Sequence, residues 1–242
     1  MLRRKLESAP LILGLPAYFY PWPGNPDWER VAQLPEGTVL VIDPADGPGS
    51  SIDPNYTNAV GLARAAGCVV LGYVDTAYAA RSLAAVVDDA ERHRAWYGVD
   101  GIFLDRTALT TGLLSYNKPI IEWLNGEGMR VAMNPGQPEI DPLYLQLAEY
   151  VVTFEGTYQH YLKTSFPPWL RGVAGNRLWH LVHGVPTSEE LRTVVDFARD
   201  NNAGLLYVTD RSTSNPWDGL PTYWNEERAL LATESADDSP GV

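Results

Sequence analysis

Eight runs rich in apolar, β-branched and aromatic residues recur along the chain at near-regular spacing, and this rhythm limits the fold more than any other feature. They are LILGLPAYF, TVLVID, CVVLGYVD, GIFLD, MRVAMN, YVVTFE, LWHLVH and GLLYVTD. Each suits a buried strand. Between several of them the apolar period lengthens to that of a helix. In ARSLAAVVDDAERHRAWYG, Leu83, Val86, Val87 and Ala90 form one stripe with charges opposite. In TSEELRTVVDFARDNN, Thr187 and Glu190 have capping-box spacing, and Leu191, Val194, Val195 and Ala198 form the buried face. KPIIEWLNGEG is expected to start with Pro119 near its first turn and to stop at Gly126. DPLYLQLAEY has Asp141 placed to cap and Pro142 at the first helical position, and TNAVGLARAAG ends at Gly67.

Strands alternating with helices require a parallel sheet. Eight such units in 242 residues fit an α/β fold, a single (β/α)8 TIM barrel spanning residues 11–231. A doubly wound open sheet shares the alternation, but its glycine-rich phosphate fingerprint is absent. Residues 1–10 read as an N-terminal extension: MLRRKLESAP is basic, yet the apolar stretch behind it is broken by Pro16 and has no small-residue cleavage site. Residues 232–242, ATESADDSPGV, are expected to be a disordered acidic tail.

In such a barrel the site is built where the strands end. The runs close on Tyr18 and Tyr20, Asp43, Asp75, Asp105, Asn134, Glu155, His183 and Asp210. Asp and Asn also start turns, and Asp43 and Asn134 are each followed by proline. Glu155, in TFEGTY, has no such turn role. Asp105 has the parity of Gly101 and Phe103, and Glu155 that of Val151 and Thr153, so both carboxylates are expected to point into the barrel mouth. Strands four and six lie roughly 10 Å apart. Two inward side chains can close that to roughly 5–6 Å, the separation a retaining glycosidase uses for its nucleophile and acid/base. Strand position alone allows either residue to take either part.

Other chemistries lack their residues. The lysines are Lys5, Lys118 and Lys163, none on a strand, which argues against a Schiff-base aldolase. His180 and His183 fall on opposite faces of one strand, which disfavours a histidine-rich metal centre. No GxSxG elbow occurs. Cys68, the single cysteine, sits in an apolar run and reads as a buried hydrophobe. A formal charge of −12 would repel nucleic acid and anionic membrane surfaces, and no run is long enough for membrane insertion. No metal or organic cofactor is implied. Aromatic residues follow the strands: Trp22 and Trp28, Tyr56, Tyr78, Tyr158 and Tyr161, then Trp217, Tyr223 and Trp224. Flat apolar rings on the carboxylate face suit sugar rings, so the expected partner is a polysaccharide or oligosaccharide substrate. Asp43, Tyr73, Asp75, Asn134, His183 and Asp210 would hold sugar hydroxyls or orient the acid pair, with Tyr18, Trp217 and Tyr223 among the aromatic contacts.

YFYPWPGNPDW, DPADGPGSSIDPNY, GYVDTAYAAR, WYGVDGIFLD, NPG, TFEG, His183 and LPTYW, in that order over about residues 15 to 225, resemble the spherulation-specific, spherulin-4-like family. The resemblance implies a (β/α)8 glycoside hydrolase, secreted or surface-located, that cuts α-1,4-linked N-acetylgalactosamine in galactosaminogalactan with retention. By motif position it implies that Asp105 and Glu155 are the catalytic pair. The chain departs from the family pattern one residue on, where Asp-Glu is replaced by Asp105-Arg106. Arg106 could pair with a helix carboxylate. It could instead lie beside Asp105 and Glu155, lowering their pKa values and binding an anionic or acetamido group. Or it could mark a non-catalytic carbohydrate-binding or surface-coat protein on the same barrel.

Overall fold

The computed structural model describes residues 11–108, 112 and 114–232. The extension over residues 1–10 and the tail beyond residue 232 lie outside the described residues. Eight strands form a closed barrel in sequence order: β1 (Ile12–Ala17), β2 (Val39–Ile42), β3 (Val69–Asp75), β4 (Gly101–Asp105), β5 (Arg130–Met133), β6 (Tyr150–Thr157), β7 (Leu178–His183) and β8 (Leu205–Thr209). Every neighbouring pair is parallel, and β1 pairs with β8 to close the ring. The chain therefore folds as a (β/α)8 TIM barrel.

Around it lie α1 (Pro26–Val31), α2 (Pro54–Ala65), α3 (Leu83–Arg92), α4 (Leu114–Gly126), α5 (Tyr144–Leu147), α6 (Tyr158–Tyr161), α7 (Ser188–Asp200) and α8 (Trp224–Ala232). In α7 the Thr187 hydroxyl accepts the Glu190 N–H at 3.3 Å and donates to the Glu190 carboxylate at 2.6 Å. Its four expected apolar residues are all buried. The α3 stripe is narrower than its sequence suggests, because Leu83 sits at the exposed first turn while Val86 and Ala90 carry the packing. Helix α4 starts before Pro119, which lies inside it. Asp141 accepts the Leu143 N–H at 2.9 Å, but the turn it starts is short, since Ala148 is already extended on its way into β6.

The lumen below the site is filled by large rings. Trp179 meets Phe103 edge-on at 5.5 Å and Tyr150 at 6.5 Å, and its indole donates to the Gly14 carbonyl at 3.2 Å. A Cβ at position 14 would lie 2.4 Å from that indole, so only glycine lets β1 pass so close. This aromatic floor closes the barrel from below and leaves its mouth open above.

Candidate active site

The carboxyl ends of the strands open into a cavity of about 520 Å³. Its wall contains Tyr18 beyond β1, Asp43 and Asp46 beyond β2, Tyr73 on β3, Asp105 on β4, Glu155 on β6 and His183 on β7. The segment 213–217 beyond β8 closes it, with Trp217 packed edge-on against His183 at 5.8 Å.

Asn134, buried just beyond β5, ties the two central carboxyls together. Its Nδ2 donates to Asp105 Oδ1 at 2.8 Å and to Glu155 Oε2 at 2.6 Å. An amide nitrogen has two N–H groups, and both are used here. The facing oxygens are thus no farther apart than the two contacts end to end. That ceiling falls short of the ~6.5–9.5 Å carboxyl separation of inverting glycosidases and leaves the shorter separation of retaining ones.

Glu155 reaches this position by a route that simple alternation misses. Between β6 and β7 the register shifts: Val152 pairs with Trp179, yet Phe154 pairs with His180. Trp179 faces the lumen, whereas His180 faces the helices, where it packs on Phe166 and bonds Tyr161 at 2.7 Å. Thr153 is the extra residue of a β-bulge, with its hydroxyl 3.1 Å from His180 Nε2. Val151 and Thr153 therefore do not share the face of Glu155. The bulge resets the alternation so that Glu155, paired with Leu181, turns inward.

The electrostatics separate the two acids. Burial raises the Asp105 carboxyl, helped by the negative charge of Asp75 and opposed by three donors: the Tyr73 hydroxyl at 2.8 Å, the Arg106 backbone N–H and Asn134. Burial also raises Glu155, where only Asn134 and the Trp217 indole at 3.2 Å oppose it and the negative charge of Asp105 pushes it further up. Both carboxyls are thus raised, and Asp105 accepts from one more donor than Glu155 does. Tyr18, held well above its ordinary pKa by burial and by Asp105, Asp43 and Glu155, stays a neutral hydroxyl donor.

Asp43 accepts the Gly47 N–H at 2.7 Å, so it closes its loop as well as facing the cavity. Burial, reinforced by Asp46 and Asp105 and opposed by that N–H, raises it to about 7. An acid that holds its proton more tightly when folded loses stability as pH climbs from the ordinary carboxylate range to about 7. Asp43→Asn keeps an acceptor for Gly47 and removes the charge. It should stabilise the fold at pH 8 by on the order of 3 kcal/mol and have little effect at pH 4, as read by urea unfolding at both pH values. Equal effects at both would refute a raised Asp43.

Several residues expected at the site lie outside the cavity wall. Arg106 forks onto Asp75, with Nε donating to Oδ1 at 2.7 Å and Nη2 to Oδ2. Its partner is thus a strand-end carboxylate rather than one on a helix, and although its charge also feels Asp105, burial keeps both Asp105 and Glu155 raised. Burial works to raise Asp75, but the Arg106 fork, the Ala77 N–H and the charges of Arg106 and Arg81 hold it below its ordinary value. What Asp105 receives from Arg106 is a backbone N–H. The surrounding backbone is left-handed, with φ of 46°, 54° and 72° at Ala77, Tyr78 and Ala79 and 47° at Arg106. The Arg106 carbonyl accepts the Tyr78 N–H and the Thr76 hydroxyl, each at 2.8 Å, which holds the two turns together. Asp210 bonds Thr222, and the buried Tyr223 donates to the Val185 carbonyl at 3.0 Å. Among the loop aromatics, Trp28, Tyr56, Tyr158, Tyr161 and Trp224 are packing residues, and the exposed ones are Tyr20, Trp22 and Tyr78. Asp46 and the 213–216 segment are cavity residues that strand-end reading did not single out. Their signal was the small polar run TSN ahead of Pro216 and Trp217.

The family model for spherulation-specific family 4 matches residues 12–231. Spherulin-4 of Physarum polycephalum is 33% identical over 245 residues, covering 93% of this chain and 71% of that protein. The crystal structure of Aspergillus clavatus Sph3 in complex with GalNAc superposes with a TM-score of 0.79 at 28% identity, covering 94% of this chain and all of that one. A GH18 chitinase from Pseudoalteromonas aurantia, 13% identical with a TM-score of 0.53 over 83% of this chain and 93% of its own, shares the fold alone. The match to nearly the whole barrel, together with the relationship to spherulin-4, places this chain in spherulation-specific family 4.

Proposed function

We propose that this protein is a retaining, endo-acting glycoside hydrolase that cleaves an amino-sugar polysaccharide containing α-1,4-linked N-acetylgalactosamine or galactosamine, with Asp105 as nucleophile and Glu155 as acid/base. The observation that carries this reading is the single Asn134 amide donating to both carboxyls. In the first step Asp105 attacks the anomeric carbon while Glu155 protonates the departing glycosidic oxygen. The resulting glycosyl ester is opened by a water that gives its proton to Glu155, which restores both groups. An enzyme nucleophile is needed because in an α-linked 2-acetamido sugar the acetamide is cis to the leaving group and cannot attack from the opposite side. Tyr18, Tyr73, His183 and Trp217 surround the reacting unit. Asp43, Asp46, Asp105 and Glu155 make the cavity acidic in a chain of net charge −12, which favours units carrying a free ammonium group.

The Sph3 relative, solved with GalNAc, supports the choice of sugar. The test is reducing-end release from a galactosaminogalactan-type polymer, with the first-formed anomer followed by proton NMR. The α anomer and products of mixed length are expected. The β anomer would defeat the retaining mechanism, and no release above a heat-inactivated control would defeat the substrate assignment. Chitin and mannan arms would redirect it.

The amide bridge yields a further expectation. Asn134→Ala leaves Asp105 and Glu155 without their shared donor, which lets their separation relax and removes a hydrogen bond that favours both carboxylate forms. We expect kcat to fall about a hundredfold, with the pH optimum moving upward. A kcat within a factor of two of the unmutated value would show that the bridge has no part in catalysis.

A further inference from the structure

A second concavity of about 450 Å³ lies on the outer flank of the barrel, between α1 and α2. Trp22 and Leu62, each about half exposed, form its apolar rim, and Trp28 lies in its wall. The side-chain amides of Gln33 and Asn58 line it without hydrogen-bond partners among the described residues. Flat rings beside uncharged amides that can both donate and accept are the chemistry that recognises sugar hydroxyls.

The segment after β1 runs from the catalytic cavity to this groove. Tyr18 lines the cavity, Tyr20 is exposed two residues on, and Trp22 is exposed two residues beyond that, with Phe19 and Pro21 buried between them. The Tyr20 ring abuts Tyr56 edge-on at 5.7 Å, and Tyr56 donates to the carbonyl of Asp43 in the cavity wall at 3.2 Å. On its other side the Tyr20 hydroxyl accepts from Asn55, a groove residue, at 2.7 Å. Asn25 fixes the segment by donating to the Tyr20 carbonyl at 2.8 Å while its Oδ1 caps α1. The Tyr20 ring is thus held between Tyr56 and Asn55.

We infer that Tyr20, Trp22 and the α1–α2 groove form a distal subsite that binds the same glycan chain several units away from the bond being cut. The inference rests on the glycan-cleaving reading of the cavity and names where the rest of the polymer lies. A polymer then gains contacts that a short oligosaccharide cannot reach.

The experiment compares the unmutated protein with Trp22→Ala and Trp22→Phe. The ratio of kcat/KM on α-1,4-linked N-acetylgalactosamine polymer to that on a trisaccharide should fall about tenfold in Trp22→Ala, chiefly through the polymer KM, and recover in Trp22→Phe. An unchanged ratio overturns the inference. Affinity electrophoresis in the polymer, in chitin oligomers and in mannan separates this from the catalytic reading. If no glycan is cleaved yet Trp22→Ala loses retardation, the enzymatic proposal falls and the subsite stands. If no glycan retards the unmutated protein, or if Trp22→Ala is retarded equally, the subsite falls.

Discussion

Glu155→Gln is expected to lower kcat on the natural polymer by about three orders of magnitude, while cleavage of an aryl α-glycoside whose phenol leaves unaided is far less impaired in its first step. A glutamine keeps the shape of the side chain, and its one amide oxygen can accept from Asn134 or from Trp217 but not from both, so thermal unfolding of the variant is measured beside kcat to separate the lost proton from any change in the fold. Burial and the charge of Asp105 both hold the Glu155 proton on, which lets it act as an acid above the ordinary carboxylate range. The alkaline limb of kcat/KM should therefore belong to this residue and vanish in the variant. On the aryl substrate the variant should accumulate glycosyl-enzyme, because water lacks its base. Added azide, which needs none, should restore turnover and give the α-glycosyl azide. An unchanged alkaline limb, or a loss below tenfold on polymer, would remove Glu155 from the acid/base role.

The barrel was legible because each strand is buried on both faces and so must be written in apolar residues, and because helices between parallel strands must show a different period. The Thr187 cap and the apolar face of α7 likewise follow from local sequence. What sequence could not show was where alternation breaks. YVVTFEG carries no mark of a bulge: Thr153 is β-branched like Val151 and Val152, and what places it as the extra residue is the buried His180 behind it, twenty-seven positions later. Glu155 was expected to face inward from parity with Val151 and Thr153. It lines the cavity for a different reason. Arg106 shows the same limit, since its left-handed backbone sends the guanidinium to Asp75 on the adjacent strand, a partner that sequence order does not announce. The aromatic loops were legible as a class but not one by one, because the same ring type either packs a helix or meets solvent according to tertiary contacts alone.

Asp105→Asn is expected to cost on the order of four orders of magnitude in kcat on every substrate, aryl glycosides included, because no leaving group compensates for a missing nucleophile. The substitution suits the site. The new amide can turn its oxygen toward Asn134 and its nitrogen toward the Tyr73 hydroxyl, which accepts as well as donates, so thermal unfolding should change little. Azide discriminates the two roles. In the Asp105 variant it would occupy the vacated face of the sugar and attack directly, giving the β-glycosyl azide, the opposite anomer to that from Glu155→Gln. Exchange of the two anomers between the variants would reverse the assignment, making Glu155 the nucleophile. The β product from Asp105→Asn is the outcome that the donor arrangement favours, since three donors oppose burial at Asp105 and two at Glu155. Retention of more than a tenth of the activity by Asp105→Asn would exclude Asp105 as nucleophile, and with it the two-step mechanism proposed for this cavity.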